Sequence, residues 1–185
     1  MTNISKRVSK KQWLERALKI LNNHGVSGVK VGVLANQLST SRSGFYWHFK
    51  DRQDLLNTLL KYWEQEYTNI ASEIPAILES SPEQRLLNLM LLIQKRKLAD
   101  YDLAMRSWAE HDKSAAKIVN RVYQFRLDFV EKLFKEIGFK GYQLEMRAKL
   151  FVCYHSWEQT MFGHVSDKKQ IQLIKLRHKL LVEKK

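Results

Sequence analysis

The sequence predicts an all-α protein of about nine helices, three short ones at the N-terminus and a helical bundle after them. Three observations carry this. Only two prolines and seven glycines punctuate 185 residues. Apolar residues recur every three or four positions, and no run alternates polar and apolar with a β-branched bias. Several of the periodic stretches begin at serine or aspartate, and two are stopped by glycine, as helices are.

Ser9 with Gln12 three residues on is a capping-box signature. Leu14, Ala17, Leu18 and Leu21 then form the core face of a first helix. Gly25 is placed as the left-handed residue that stops it, leaving Val26 to Lys30 as a link. Val31, Leu34, Ala35 and Leu38 give the second helix one apolar face. Ser39-Thr40-Ser41 breaks that pattern with turn-forming residues. A third helix follows from about Arg42 to His48, capped by Ser41, with Phe45 and Phe49 inward. Its other face carries Arg42, Ser43, Gly44, Tyr46, Trp47 and His48, and Lys50 and Arg52 follow. Small residues at the start of a helix, with donors around them, suit entry into a major groove.

Asp51 to about Ser72 reads as a connecting helix with Asp51 and Asp54 in its first turn, where negative charge is favourable. Leu55, Leu56, Leu59, Leu60, Trp63 and Tyr67 make its apolar stripe, and Pro75 ends the region. Ser81-Pro82-Glu83-Gln84 starts the next helix with a cap and a proline at the first helical position. Leu86 to Leu98 is apolar nearly all round at first, and Asp100-Tyr101-Asp102 breaks it. A short helix, Leu103 to Ala109, precedes a long one, Ala115 to Ile137, which Gly138 ends. Two helices remain, about Tyr142 to Phe162 and Lys168 to Leu181. The first has large apolar groups on more than one face. A monomer buries one face, so the second predicts a partner.

The run STSRSGFYWHFKDRQDLL, preceded by VGVLANQL and an amphipathic helix, resembles the N-terminal domain of the TetR family of bacterial transcriptional regulators. The resemblance covers Ser9 to Leu60 closely. It implies a helix-turn-helix domain at 1–52, and a ligand-binding and dimerisation domain at 53–185 whose last two long helices pair across a two-fold axis. Two positions depart from the family pattern. Ser39 stands where the turn usually carries glycine, and a left-handed serine costs roughly 1 kcal/mol relative to glycine. Val29, Lys30 and Val31 stand where the second helix often begins with threonines.

Charge supports a polyanionic partner. Residues 1–50 carry nine Lys and Arg against Glu15 alone, and residues 168–185 carry seven against Glu183. Of the formal net charge of +13, the stretch between contributes −1. A basic N-terminal third beside a helix-turn-helix is the footprint expected for DNA phosphates. The basic C-terminus reads better as a solvated helix face, and Lys6, Arg7, Lys10 and Lys11 serve equally as a DNA-touching arm or a solvated terminus.

No catalytic set, metal-ligand spacing, P-loop or dinucleotide fingerprint stands out, so neither an enzyme nor a cofactor is expected. Cys153 alone fits a reducing cytoplasm, and no signal peptide or membrane span is expected. The sequence therefore predicts a bacterial, cytoplasmic homodimeric repressor, associated with the nucleoid when bound to a pseudo-palindromic operator and released by a small apolar or aromatic effector. The expected DNA-binding residues are Lys30, Val31, Thr40, Ser41, Arg42, Ser43, Gly44, Phe45, Tyr46, Trp47, His48, Phe49, Lys50 and Arg52. Trp63, Tyr67, Met90, Met105, Trp108, Tyr123, Tyr154 and Trp157 are candidate pocket residues. Leu150, Tyr154, Trp157, Met161, Ile174 and Leu176 are candidates for the dimer interface. The alternatives are a sequence-indifferent basic protein that coats DNA or another polyanion, and a membrane-surface protein that uses the basic C-terminal helix.

Overall fold

Nine helices occur among the described residues of the computed structural model, which are 8–68 and 80–184 with the side chains of Tyr67, Thr68 and Gln159 left aside. They are α1 (Lys10–Gly28), α2 (Val31–Gln37), α3 (Arg42–Tyr46), α4 (Arg52–Thr68), α5 (Pro82–Arg96), α6 (Asp102–His111), α7 (Lys113–Ile137), α8 (Gly141–Phe162) and α9 (Asp167–Val182). Lys6, Arg7, Ser72, Pro75 and the Tyr67 side chain lie outside the described residues. Two compact units result: residues 1–66 with 104–118, and residues 67–103 with 119–185. Compactness thus keeps most of α4 with the first three helices, where an expectation from sequence divides the chain at 52/53.

Local signals set the helix ends. Ser9 and Gln12 form the capping box, Gln12 N–H donating to Ser9 Oγ at 3.3 Å and Ser9 N–H to Gln12 Oε1 at 2.8 Å. Gly25 takes φ +64°, as expected, but it kinks the helix rather than ending it, and one further turn runs to Gly28. Asp51 accepts from Asp54 N–H at 2.8 Å, while Asp54 accepts from Lys50 N–H at 2.9 Å. Ser81 and Ser166 cap α5 and α9 through N–H donors three residues on.

The turn after α2 is a Schellman closure. Ser39 has φ +50°, Thr40 N–H donates to Ala35 O and Ser39 N–H to Asn36 O, each at 3.0 Å. The left-handed serine is therefore real, and two backbone bonds offset its cost. α5 closes in the same way on Lys97, φ +53°, with Leu98 N–H donating to Ile93 O at 3.1 Å. It ends two residues before the Leu98 expected from its apolar run.

The core of the first unit includes Trp13, Leu14, Ala17, Leu18 and Leu21 of α1, Leu34 and Ala35 of α2, Phe45, Phe49, and the α4 stripe Leu55, Leu56, Leu59, Leu60 and Trp63. Trp13 meets Phe45 edge-on, with ring centroids 5.5 Å apart, and Phe45 leans on Phe49 at 5.1 Å. The second core joins Leu86, Leu89 and Met90 of α5 to Val130, Leu133, Phe134 and Ile137 of α7, Ala148 and Phe151 of α8, and Ile174 and Leu181 of α9. No described helix is long and apolar enough to cross a membrane.

Candidate functional site

The α2–α3 pair presents one face of α3 outward. Phe45 and Phe49 are wholly buried, and burying them orients the short helix. Arg42, Ser43, Tyr46, Trp47 and Lys50 remain exposed, with Tyr46 at 61% and Trp47 at 73%. Arg42 lies against α2: a Cβ on Gly32 would come within 3.0 Å of its Nη2. Lys30 and Ser41 are exposed at the two helix starts, and neither caps its helix with a side-chain bond. The Ser41 hydroxyl instead pairs with Ser43 Oγ at 2.7 Å. Val31, Thr40 and Gly44 are partly buried around the same turn. Lys10 Nζ stands 5.2 Å from the Phe49 ring centroid.

Four of the expected DNA contacts have other employment. Phe45 and Phe49 are core, so no base edge or phosphate reaches them. Arg52 donates through Nε to Val29 O at 2.6 Å and through Nη2 to Val26 O at 2.5 Å, closing the end of α1. His48 Nε2 donates to Val8 O at 2.9 Å, tying the chain before α1 to the residue after α3. α3 is also shorter than expected, ending at Tyr46 rather than His48.

The second unit holds a partly open cavity of about 60 Å³. Its wall is apolar: Leu89 and Ile93 of α5, Phe125, Phe129 and Val130 of α7, and Phe151 of α8. The lining also includes four polar side chains, those of Asp102, Arg126, His155 and Ser156. Asp102 is 1% exposed and takes both arms of Arg126, Nη1 to Oδ2 at 2.6 Å and Nη2 to Oδ1 at 3.1 Å. His155 donates from Nδ1 to Phe151 O at 2.7 Å, which leaves Nε2 to accept from Arg177 Nη2 at 3.2 Å. Burial, with Arg177 and then Arg126 nearby, pushes its pKa down to about 3, so the ring is uncharged. Arg177 in turn donates to Glu158 Oε2 at 2.9 Å.

None of the expected pocket residues whose side chains are described lines this cavity. Trp63, Met105 and Trp108 are buried in the first unit, and Met90 is core in the second. Tyr123 lines a separate open groove beside Cys153. Tyr154 and Trp157 are exposed, and the Tyr154 ring lies 4.1 Å below the Arg177 guanidinium. A sequence signal did exist for one missed residue. Arg126 interrupts the buried stripe Val119, Val122, Val130, Phe134 of α7, four residues from valine on either side. Of the expected interface residues, Leu150, Tyr154, Trp157, Met161 and Leu176 are exposed, whereas Ile174 is 1% exposed and packs inside the second core. It falls on the inner face of α9, towards α5, so it is not available to a partner.

Residues 14–59 match the pattern of the family described as bacterial regulatory proteins, tetR family. Over 57 residues, 31% of this chain and 25% of the relative, the sequence is 37% identical to the HTH-type transcriptional regulator AcrR of Shigella flexneri. The chain thus matches about a quarter of the length of that curated relative. The fold is similar to the crystal structure of a transcriptional regulator from Rhodococcus sp. Rha1, with a TM-score of 0.72, 14% identity, and 95% and 94% of the two chains covered. It is similar as well to AibR in complex with isovaleryl coenzyme A and operator DNA, with a TM-score of 0.69, 17% identity, and 90% and 96% covered. The matched residues form most of α1, all of α2 and α3, and the first half of α4, so the segment that holds the helix-turn-helix carries the pattern of the tetR family of bacterial regulatory proteins.

Proposed function

We propose that this protein is a cytoplasmic transcriptional repressor that binds a pseudo-palindromic operator as a homodimer and leaves it when a small molecule occupies the second unit. One observation carries the DNA part. Burial of Phe45 and Phe49 turns Arg42, Ser43, Tyr46 and Trp47 outward together, beside Lys50 and Lys30. Arg42 contacts a guanine or a phosphate, Ser43 and Gly44 permit close approach, and Tyr46, Trp47, Lys50 and Lys30 hold the backbone. TetR-family regulators are DNA-binding proteins rather than enzymes, and AibR is described with operator DNA and an acyl thioester together.

The dimer part is supported by α8. Tyr142, Met146, Leu150, Tyr154, Trp157 and Met161 recur every three or four residues and are all exposed, and Leu173, Leu176 and Leu180 continue the pattern on α9. Such a stripe is an apolar patch of the kind that marks an interface. In this reading residues 1–52 read DNA, and 53–185 hold the effector and the partner.

Selection from a randomised duplex library at physiological salt tests the proposal. A palindrome with half-sites one helical turn or a multiple apart is the expected result. Recovery of no motif, with affinity collapsing as salt rises, would sink it in favour of a sequence-indifferent polyanion binder that uses the two basic ends. Arg42→Ala separates the two again. The repressor loses about 1–3 kcal/mol on its own site alone, whereas the indifferent binder loses a little on every sequence.

A further inference from the structure

The lining of the cavity includes an ion pair, Arg126 with the buried carboxylate of Asp102, and such a pair is weak evidence of a role in stability. Two charges taken out of water rarely gain more from each other than a well-packed apolar pair of the same volume would give. Both members line a largely apolar chamber, where a ligand would meet them. The two are held unequally. Arg126 is mid-way along the 25-residue α7, whereas Asp102 is the first residue of α6, just after the connection from α5. Asp102 is therefore the member that can leave.

The geometry points to Arg126 as the anchor for a short aliphatic monocarboxylate, whose carboxylate takes the place of Asp102 in the guanidinium fork. This rests on the reading of the cavity as the effector site and names the class of effector. The group displaced is itself a carboxylate, so the incoming one inherits a fork already shaped for it. A cation would have to displace a guanidinium fixed within a long helix. It would also meet a second arginine, since Arg177 stands behind His155, and the uncharged His155 supplies no acidic partner. The tail is small. A cavity of ~150 Å³ accepts benzene, and this one is about 60 Å³, which limits the tail to a few carbons. Once displaced, the Asp102 carboxylate has no buried partner and turns to solvent, which loosens the first turn of α6.

Calorimetric titration of the full-length protein, without DNA, compares three ligands with one carbon skeleton: 3-methylbutanoate, 3-methylbutylamine and 3-methylbutanol. The acid is expected to bind at least tenfold more tightly than the amine or the alcohol. Asp102→Asn weakens the internal competitor and is expected to tighten the acid at least threefold. Arg126→Gln alone strands a buried carboxylate and threatens the fold. The double variant Asp102→Asn/Arg126→Gln carries no charge, enlarges the cavity by two side-chain atoms, and is expected to remain helical by circular dichroism with no acid binding. Binding of none of the three, equal binding of all three, binding of isovaleryl coenzyme A but not the free acid, or acid binding that survives the double variant would each overturn the assignment. Because no DNA is present, the outcome does not depend on the regulatory reading. Acid binding that fails to release a selected duplex would leave the site standing and remove its regulatory role.

Discussion

Replacing Arg52 with alanine is expected to cost stability and not a phosphate contact. The guanidinium donates to Val29 O at 2.6 Å and to Val26 O at 2.5 Å, beyond the kink at Gly25. A hydrogen bond from a charged donor contributes about 1.5–3 kcal/mol net. Arg52 is half-buried, so water replaces part of what is lost and the lower bound applies to each bond. The two together give about 3 kcal/mol, a large share of the 5–15 kcal/mol typical of a domain. With a urea dependence of about 1–3 kcal/mol per molar, the unfolding midpoint falls by roughly 1–3 M at unchanged slope. Arg52→Lys keeps the charge but loses the fork, and recovers less than half. The salt dependence of DNA binding is then the cross-check. A lost phosphate contact lowers the slope of log affinity on log salt by ~1. An unchanged urea midpoint together with a slope lower by ~1 would refute the structural role and restore Arg52 to the DNA interface.

Three further substitutions report on other features. Gly32→Ala puts a methyl group 3.0 Å from Arg42 Nη2, the end of a flexible side chain, so thermal stability holds while affinity for the selected operator falls several-fold in a mobility-shift titration. Ser39→Gly relieves the left-handed serine and is expected to add about 1 kcal/mol, seen as a rise of roughly 2–4 °C in the thermal midpoint. His155 carries a pH signature: its folded pKa of about 3 lies below the ordinary histidine value, so the unfolded chain binds the extra proton. Stability from this group is complete above about pH 6.5 and is lost as pH falls towards 3, by about 1.4 kcal/mol per unit within that window. His155→Gln removes this share, so the wild type is expected to lose stability faster than the variant between pH 6.5 and 4.5, and parallel curves would refute it.

Much of the helix-turn-helix was legible because its determinants are local. Ser9 and Gln12 are three residues apart, Val31 to Leu38 repeat at helical spacing, and the pattern break at Ser39 falls where the backbone turns left-handed. The same locality misled at the edges. Phe45, His48, Phe49 and Arg52 lie in the run that carries the family resemblance, but two of them fill the core and two hold backbone carbonyls 23 to 40 residues away. Gly25 was legible as left-handed and not as a kink, since the turn that resumes after it depends on Arg52 drawing in the carbonyls of Val26 and Val29.

By itself, the sequence determined the all-α class, nearly every helix start and the outward arginine and aromatics of α3, because caps and periodicity are set by neighbours within about one turn. Only the tertiary structure decided which polar groups meet inside. Asp102, Arg126 and His155 are each separated by more than 20 residues and come from three helices, and a local pattern shows one of them only as an arginine out of place. Packing also chose which of the apolar residues on α8 and α9 turn inward, burying Phe151 and Ile174 while leaving Leu150 and Leu176 outside, because a helix with apolar groups all round has no face of its own to prefer.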